Sequence, residues 1–431
     1  MSDTKTIDRR SLLKLTSVGA AGALVASRAS AETYPAPSSV DIGRVQDGKV
    51  MFDPWRSPAD TPSPPPPAPL PPEQRVGFAV VGLGRLSLEQ LLPAFAESKK
   101  AKVVALVSGT PDKLDAVAAQ YGIKKSSCYS YENFEAIKDN PEIQAVYIVL
   151  PNGMHREYTE RAAKAGKHVL CEKPMSINSA EAKKMIDACE AASVKLMIAY
   201  RIQYEGYNLR LAELVRQKKF GRLVGMSAIN VQTVAEDGEK QWRHKKALAG
   251  GGSLPDIGLY CLNTARFLTG EEPVEIMATT FSPPGDPRYA EVEETVSFTL
   301  RFPSNLIANC FTSYGARDDK HQRLNFETAV ADMPNAYMYQ GQKLTIINRQ
   351  EDATSEAQLT LQVPNQFAVE IDHMATCIIE NRIPRTPGEE GMQDHLLMEA
   401  IYKSAETGQP VKLTPVDRLD AFRGPPAPID L

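Results

Sequence analysis

Five apolar runs, VGFAVVG, KVVALVSG, AVYIVLP, KHVLCEKP and KLMIAY, recur between Val76 and Tyr200, and a segment of helical period separates each from the next. Strands joined through helices are expected to lie parallel, because the crossover returns the chain to the same end of the sheet. The pattern therefore predicts a doubly wound α/β sheet with helices on both faces. Helix signals agree with it. In TPDKLDAVAAQYG, Thr110 stands at the N-cap, Pro111 at the first helical position and Gly122 at the end.

The first run leads directly into Gly82-x-Gly84. The first glycine suits a tight turn. The second lets the backbone approach a pyrophosphate at the N-terminus of the next helix. The third fingerprint position is Ser87 rather than glycine, so the match rests on its strand–loop–helix setting. The second run decides the kind of dinucleotide. It ends Val107-Ser108-Gly109 with no carboxylate for a ribose 2′-hydroxyl, and Asp112 lies further on, in the next helix. Ser108, Lys113 and Arg85 could instead hold a 2′-phosphate, which favours NADP. Lys113 also reads as a solvated helix lysine.

Two further stretches carry chemistry. Glu172-Lys173-Pro174 closes KHVLCEKP at the sheet edge where open α/β folds bind ligands. A lysine there can polarise a substrate oxygen and support a neighbouring acid; the plain alternative is a surface Glu–Lys pair. In AGGGSLPDIGLYCLNTARFL, glycines 250 to 252 open a helix from Ser253. Asp256 and Tyr260, four apart, share its face and suit proton transfer with a sugar hydroxyl. The alternative is a buried helix with a tyrosine anchor.

Ahead of this domain, Arg9-Arg10, a weakly apolar run and Ala29-Ser30-Ala31 read as a twin-arginine signal peptide over 1–31, cleaved after Ala31. That implies a periplasmic protein. Residues 32–74 contain PSPPPPAPLPP, an extended arm that is either a spacer or a drape over a neighbouring subunit. The net charge of −4, with no long basic run, argues against nucleic acid. No apolar stretch past the leader is long enough for stable membrane insertion. The six cysteines lack Cys-x-x-Cys spacing and read as buried thiols, and no metal site is expected.

GLGRLSL, PNGMH, EKP, Tyr200-Arg201, QWR at 241–243 and GGGS-x-x-D-I-G-x-Y, with NQF at 365–367 and PGEEGMQD at 387–394, together resemble the glucose–fructose oxidoreductase family. The resemblance runs from about residue 75 to 410. It implies a Rossmann domain over 75–200 and a C-terminal α+β domain over 201–431 with a large, mainly antiparallel sheet, to which the β-rich patterns of RLVGMSAINVQTV, VEIMATTF, EVEETVSFTLRF and LIANCFTSY conform. It also implies tightly held NADP, oxidation of one sugar at C1 to a lactone and reduction of a second sugar. Tyr260 would be the acid/base, Lys173 its partner and Asp256 a substrate-site residue. The cofactor-binding set would be Gly82, Gly84, Arg85, Leu86, Ser108, Lys113, Pro151, Asn152, His155, Glu172, Lys173, Tyr200, Arg201, Trp242 and Arg243. A homo-oligomer, dimer or tetramer, would exchange the arm. Three other readings stand beside this one. They are a sugar dehydrogenase with exchangeable NAD(P), a non-catalytic exported binding protein, and an NAD-using glycosidase for which further acid/base groups are not evident.

Overall fold

The structure is a computed structural model that describes residues 44–46, 49–51, 68–234 and 238–426. The predicted leader, its cleavage point and most of the proline-rich arm lie outside these residues. Within the arm, β1 (Arg44–Gln46) and β2 (Lys49–Met51) pair antiparallel, with Arg44 opposite Met51.

From Ala68 onward the chain is one compact unit. Its first sheet holds β3 (Val76–Val81), β4 (Ala101–Val107), β5 (Cys128–Tyr129), β6 (Ala145–Ile148), β7 (His168–Glu172) and β8 (Leu196–Ala199). They pair in parallel in the order β5-β4-β3-β6-β7-β8. The order reverses at β3, so a crevice opens at its C-terminal end. Every residue of β3 is buried, as expected when helices cover both faces. The two-residue strand β5 has no apolar run of its own and was not anticipated. Helix Pro111–Tyr121 starts after Thr110 and ends at left-handed Gly122, but the Thr110 hydroxyl makes no capping bond.

The second sheet contains β9 (Leu223–Thr233), β10 (Glu275–Phe281), β11 (Thr295–Arg301), β12 (Ile307–Ser313), β13 (Gly315–Phe326), β14 (Ala329–Met333), β15 (Leu344–Gln350), β16 (Ala353–Leu359) and β17 (Val411–Lys412). Its order is β16-β15-β14-β13-β9-β12-β11-β10-β17. All neighbours are antiparallel except β9 and β12, so the sheet is mixed. Helix Leu259–Thr269 lies among the buried side chains of this sheet, and only Tyr260 and Thr269 escape full burial along it. That burial fixes the helix rigidly.

Helix Gln366–Ile379 crosses back. Its Phe367, Ile371 and Met374 pack with Phe78, Val80 and Phe95 of the parallel-sheet core. A division at residue 201 therefore separates the two sheets but not their helical cover. All six cysteines are free thiols, and all but Cys128 are buried. Among the described residues no helix is long and apolar enough to cross a membrane.

Candidate active site

A cleft of about 760 Å³ runs from the glycine loop after β3 to the edge of the second sheet. Gly82 makes the turn with φ +97°, and a Cβ there would meet the Val149 carbonyl oxygen at 2.4 Å. Gly84 differs: a Cβ on it would meet nothing within 4 Å, so its backbone is open to the cleft. Ser87 takes the place of a third glycine by turning inward. Its hydroxyl donates to the Gly82 carbonyl at 2.6 Å, bracing the loop. These features fit a dinucleotide pyrophosphate at the start of the following helix.

Ser108, Gly109, Thr110, Lys113 and Tyr131 line the cleft beyond the end of β4, and Arg85 lines it from the glycine loop. The Ser108 hydroxyl accepts from the Thr110 backbone N–H at 3.3 Å. Among the described residues, the acids lining the cleft are Glu172 and Asp256. Arg85 itself lies 3.9 Å from the Glu89 carboxylate on the exposed start of the next helix.

The chemical end of the cleft is built around Tyr260. Lys173 Nζ sits 4.5 Å from the ring centroid on one side, and the Arg201 guanidinium carbon 4.7 Å from it on another. Arg201 Nε donates to Tyr260 Oη at 3.2 Å. Arg201 is buried and, among the described residues, has no carboxylate within ion-pair distance. Its other N–H groups donate to the Tyr337 carbonyl at 2.6 Å and to Gln366 Oε1 at 2.7 Å. A guanidinium so placed is a charge-assisted hydrogen-bond donor aimed at the Tyr260 oxygen.

Asp256 lies beside this pair. Lys173 Nζ donates to its backbone carbonyl at 2.5 Å and lies 3.6 Å from Oδ1; Arg243 Nε lies 3.3 Å from Oδ2, which also accepts from the Tyr314 hydroxyl at 2.7 Å. Burial alone would raise the Asp256 carboxyl, but Arg243, Lys173 and Tyr314 outweigh it and hold the group below the usual carboxylate range. The two residues do share a face, but by a route the spacing did not show: Leu254–Gly258 is a π-turn, and the α-helix begins only at Leu259.

Three motifs prove to be supports. Gly252 is required because a Cβ would sit 1.9 Å from the Glu293 carbonyl oxygen. The half-buried Glu293 carboxylate then accepts from Gly252 N at 2.9 Å and Leu254 N at 3.0 Å, securing the start of the Tyr260 helix. NQF supplies Gln366 to Arg201 and Phe367 to the cleft wall. From PGEEGMQD, Glu390 and Asp394 bind the fully buried Arg266, at 2.9 and 2.5 Å, on the helix that carries Tyr260.

Gly82, Gly84, Arg85, Leu86, Ser108, Lys113, Pro151, Asn152, Glu172, Lys173, Arg201, Trp242, Arg243, Asp256 and Tyr260 all line the one cleft. His155 and Tyr200 do not. His155 is wholly buried, with its ring nitrogens 2.8 Å from the Leu150 carbonyl and 3.0 Å from the Pro174 carbonyl, so it ties PNGMH to EKP. Tyr200 lies behind Tyr260, against a small cavity shared with Lys173 and Asn263. Sequence reasoning missed Asn230, Gln232, Lys320, Tyr314, Tyr337 and Tyr339, which line the cleft from the second lobe. Gln232 and Tyr314 stand near strand ends, but Lys320 lies mid-strand in β13 and Tyr337 and Tyr339 in the loop after β14, so no shared pattern marks them. No cluster of metal-binding side chains occurs among the described residues.

Residues 76–200 match an oxidoreductase family described as an NAD-binding Rossmann fold, and residues 208–328 match the GFO/IDH/MocA C-terminal domain. A D-xylose 1-dehydrogenase [NADP(+)] of Haloarcula marismortui is 32% identical over 342 residues, covering 78% of this chain and 93% of that one. A 1,5-anhydro-D-fructose reductase of Ensifer adhaerens is 26% identical over 339 residues, covering 78% and 98%. The crystal structure of an aldose-aldose oxidoreductase from Caulobacter crescentus complexed with glycerol superimposes with a TM-score of 0.75 at 42% identity, covering 79% of this chain and all of that one.

Proposed function

Because the chain belongs to the GFO/IDH/MocA oxidoreductase family, we propose that it oxidises one sugar at C1 to a lactone and reduces a second sugar, using NADP that stays bound between the two. The observation that carries this reading is the placement of Tyr260, between two cations and beside Asp256, in the same cleft as the open Gly84 backbone. Gly82, Gly84, Ser108, Lys113 and Arg85 would hold the dinucleotide, which when bound supplies the hydride acceptor and later the donor. Tyr260 takes the proton of the C1 hydroxyl in the first half and returns a proton to the second sugar. Arg201 stabilises the phenolate in between. Lys173 and Arg243 keep Asp256 ionised, so it can accept a hydrogen bond from a sugar hydroxyl. Among relatives, the 42% identical structure is of an aldose-aldose oxidoreductase, which supports an aldose as second substrate; fructose rests on resemblance alone.

A cofactor retained through the cycle also gives the leader a purpose. Twin-arginine export carries folded proteins, so NADP could be loaded before the chain reaches the periplasm. The arm would cover a neighbour's cofactor in a homo-oligomer, and the exposed Met277, Phe281, Ile307 and Phe311 of the second sheet offer an association face. A second reading, a dehydrogenase with exchangeable NADP, is favoured by the xylose dehydrogenase relative. The absorbance of purified, dialysed protein separates the two. A nicotinamide band that rises with one sugar and falls with another, without added cofactor, supports the proposal. Loss of all nicotinamide on dialysis refutes it, and extraction of mainly NAD refutes the NADP assignment.

A further inference from the structure

Behind Lys173 lies a buried pair of carboxyl groups that the reaction above does not use. Glu172 ends β7, and Glu370 comes from the helix that crosses back from the second lobe. Between them stands the phenol of Tyr147 on β6. Tyr147 Oη donates to Glu172 Oε1 at 2.9 Å and lies 3.4 Å from Glu370 Oε2. Tyr147 and Glu370 are fully buried and Glu172 nearly so, and Glu370 Oε1 has no hydrogen-bond partner among the described residues. The remaining oxygen of Glu172 accepts from the Lys173 backbone N–H at 3.2 Å.

Protons can be counted along this chain of atoms. One phenol has one proton, and the shorter contact directs it to Glu172. If Glu370 were ionised, Oε2 would face the phenol's lone pairs and Oε1 would face nothing. Two buried carboxylates would then share a region with only the phenol's single proton between them, already given to Glu172. A proton on Glu370 Oε2 removes the conflict.

We propose that Glu370 is a protonated carboxylic acid that donates to Tyr147, which donates to Glu172, so that a one-way hydrogen-bond chain fixes Glu172 as the anion and positions Lys173. Glu370 is thus a positioning residue acting through two others. The groups facing the pair are Tyr147 on β6, Cys171 and Lys173 along β7 and its turn, Arg201 and Tyr204 after β8, and Tyr339 from the second lobe. Lys173 and Arg201 are the cations among them; both act on Glu172, and Arg201, with Tyr147, also opposes the rise of Glu370. Burial first, and then the Glu172 charge, push the Glu370 carboxyl well above its usual range. Burial also raises Glu172, against which Lys173, Tyr147 and Arg201 act.

Infrared spectra of the full chain with ¹³C-labelled glutamate carboxyls test this at neutral pH. The difference between parent and Glu370→Gln should show the loss of a D₂O-sensitive acid carbonyl stretch. Loss of a carboxylate stretch in its place would overturn the proposal. Should that variant fail to fold, Tyr147→Phe removes the acceptor of the Glu370 proton. The same acid band should then shift, and an unmoved band would overturn the proposal. Glutamine keeps a donor toward Tyr147 but cannot ionise, so Glu370→Gln should retain kcat and extend it to higher pH. That last measurement rests on Lys173 being catalytic; the infrared result does not, so failure of one reading is distinguishable from failure of the other.

Discussion

At Tyr260 two cations flank one ring, and the Arg201 N–H reaches the phenol oxygen itself. Removing that oxygen leaves the ring packed against Tyr337, 5.9 Å away, so the fold should tolerate the loss. Tyr260→Phe should then lower kcat for both half-reactions by about 10²-fold or more, the usual range for a proton carrier, with cofactor content unchanged. Stopped-flow absorbance of each half separately checks this, and normal turnover would end the assignment. Asp256 gives a prediction in pH. Its folded value is depressed, so its charge is present above the ordinary carboxylate range and is lost as pH falls through the lower folded value. Arg243→Gln removes the largest opponent of burial and lets the folded value rise. The acid limb of kcat/KM should therefore move toward neutrality; a limb that stays put would show that Asp256 does not govern it.

At the scale of elements, the helix bearing Asp256 and Tyr260 is held at its start by backbone that admits no side chain. Gly252→Ala would press a methyl group onto the Glu293 carbonyl and disturb the carboxylate that secures Leu254 N. Overpacking of this kind costs about 1–3 kcal/mol or more. The urea midpoint should fall accordingly, and an unchanged midpoint would mean that the loop at 250–252 shifts freely. The sequence made the glycines, the helix and the parallel strands legible, because a strand buried on both faces must be apolar along its whole length. It did not reveal the π-turn, since a bulge of one residue leaves no periodic trace over five positions. Strands β13 to β16 also went unread. GARDDKHQRLNF is largely exposed with little apolar content, and pairing with β9 and β14 explains its extended form. The role of Arg201 was hidden for another reason: a residue beside a strand end reads as a ligand contact, and its stacking on Tyr260 depends on a helix 59 positions away.

Across the whole molecule, the cleft is shared. The glycine loop and Lys173 come from the parallel sheet, Asp256 and Tyr260 from the second lobe, and Gln366 from a helix packed on the first. Buried Arg266 joins Glu272, Glu390 and Asp394 beneath the Tyr260 helix, which resists local movement there. In the proposed cycle one cleft and one acid/base residue, Tyr260, serve both sugars, and this has a kinetic consequence. Two sugars that both exchange a hydrogen with the same bound dinucleotide, and a proton with the same phenol, must occupy the same place in turn. The first product must leave before the second sugar enters. Microscopic reversibility makes Tyr260 the base in one half and the acid in the other. Initial rates against the donor sugar at several acceptor concentrations should therefore give parallel double-reciprocal lines, the pattern of a ping-pong reaction. Each sugar should inhibit at high concentration by entering the form meant for the other, and added NADP should leave the rate unchanged. Intersecting lines with a requirement for added cofactor would instead identify a dehydrogenase that exchanges its NADP, and would leave the predicted leader over 1–31 without the purpose proposed for it.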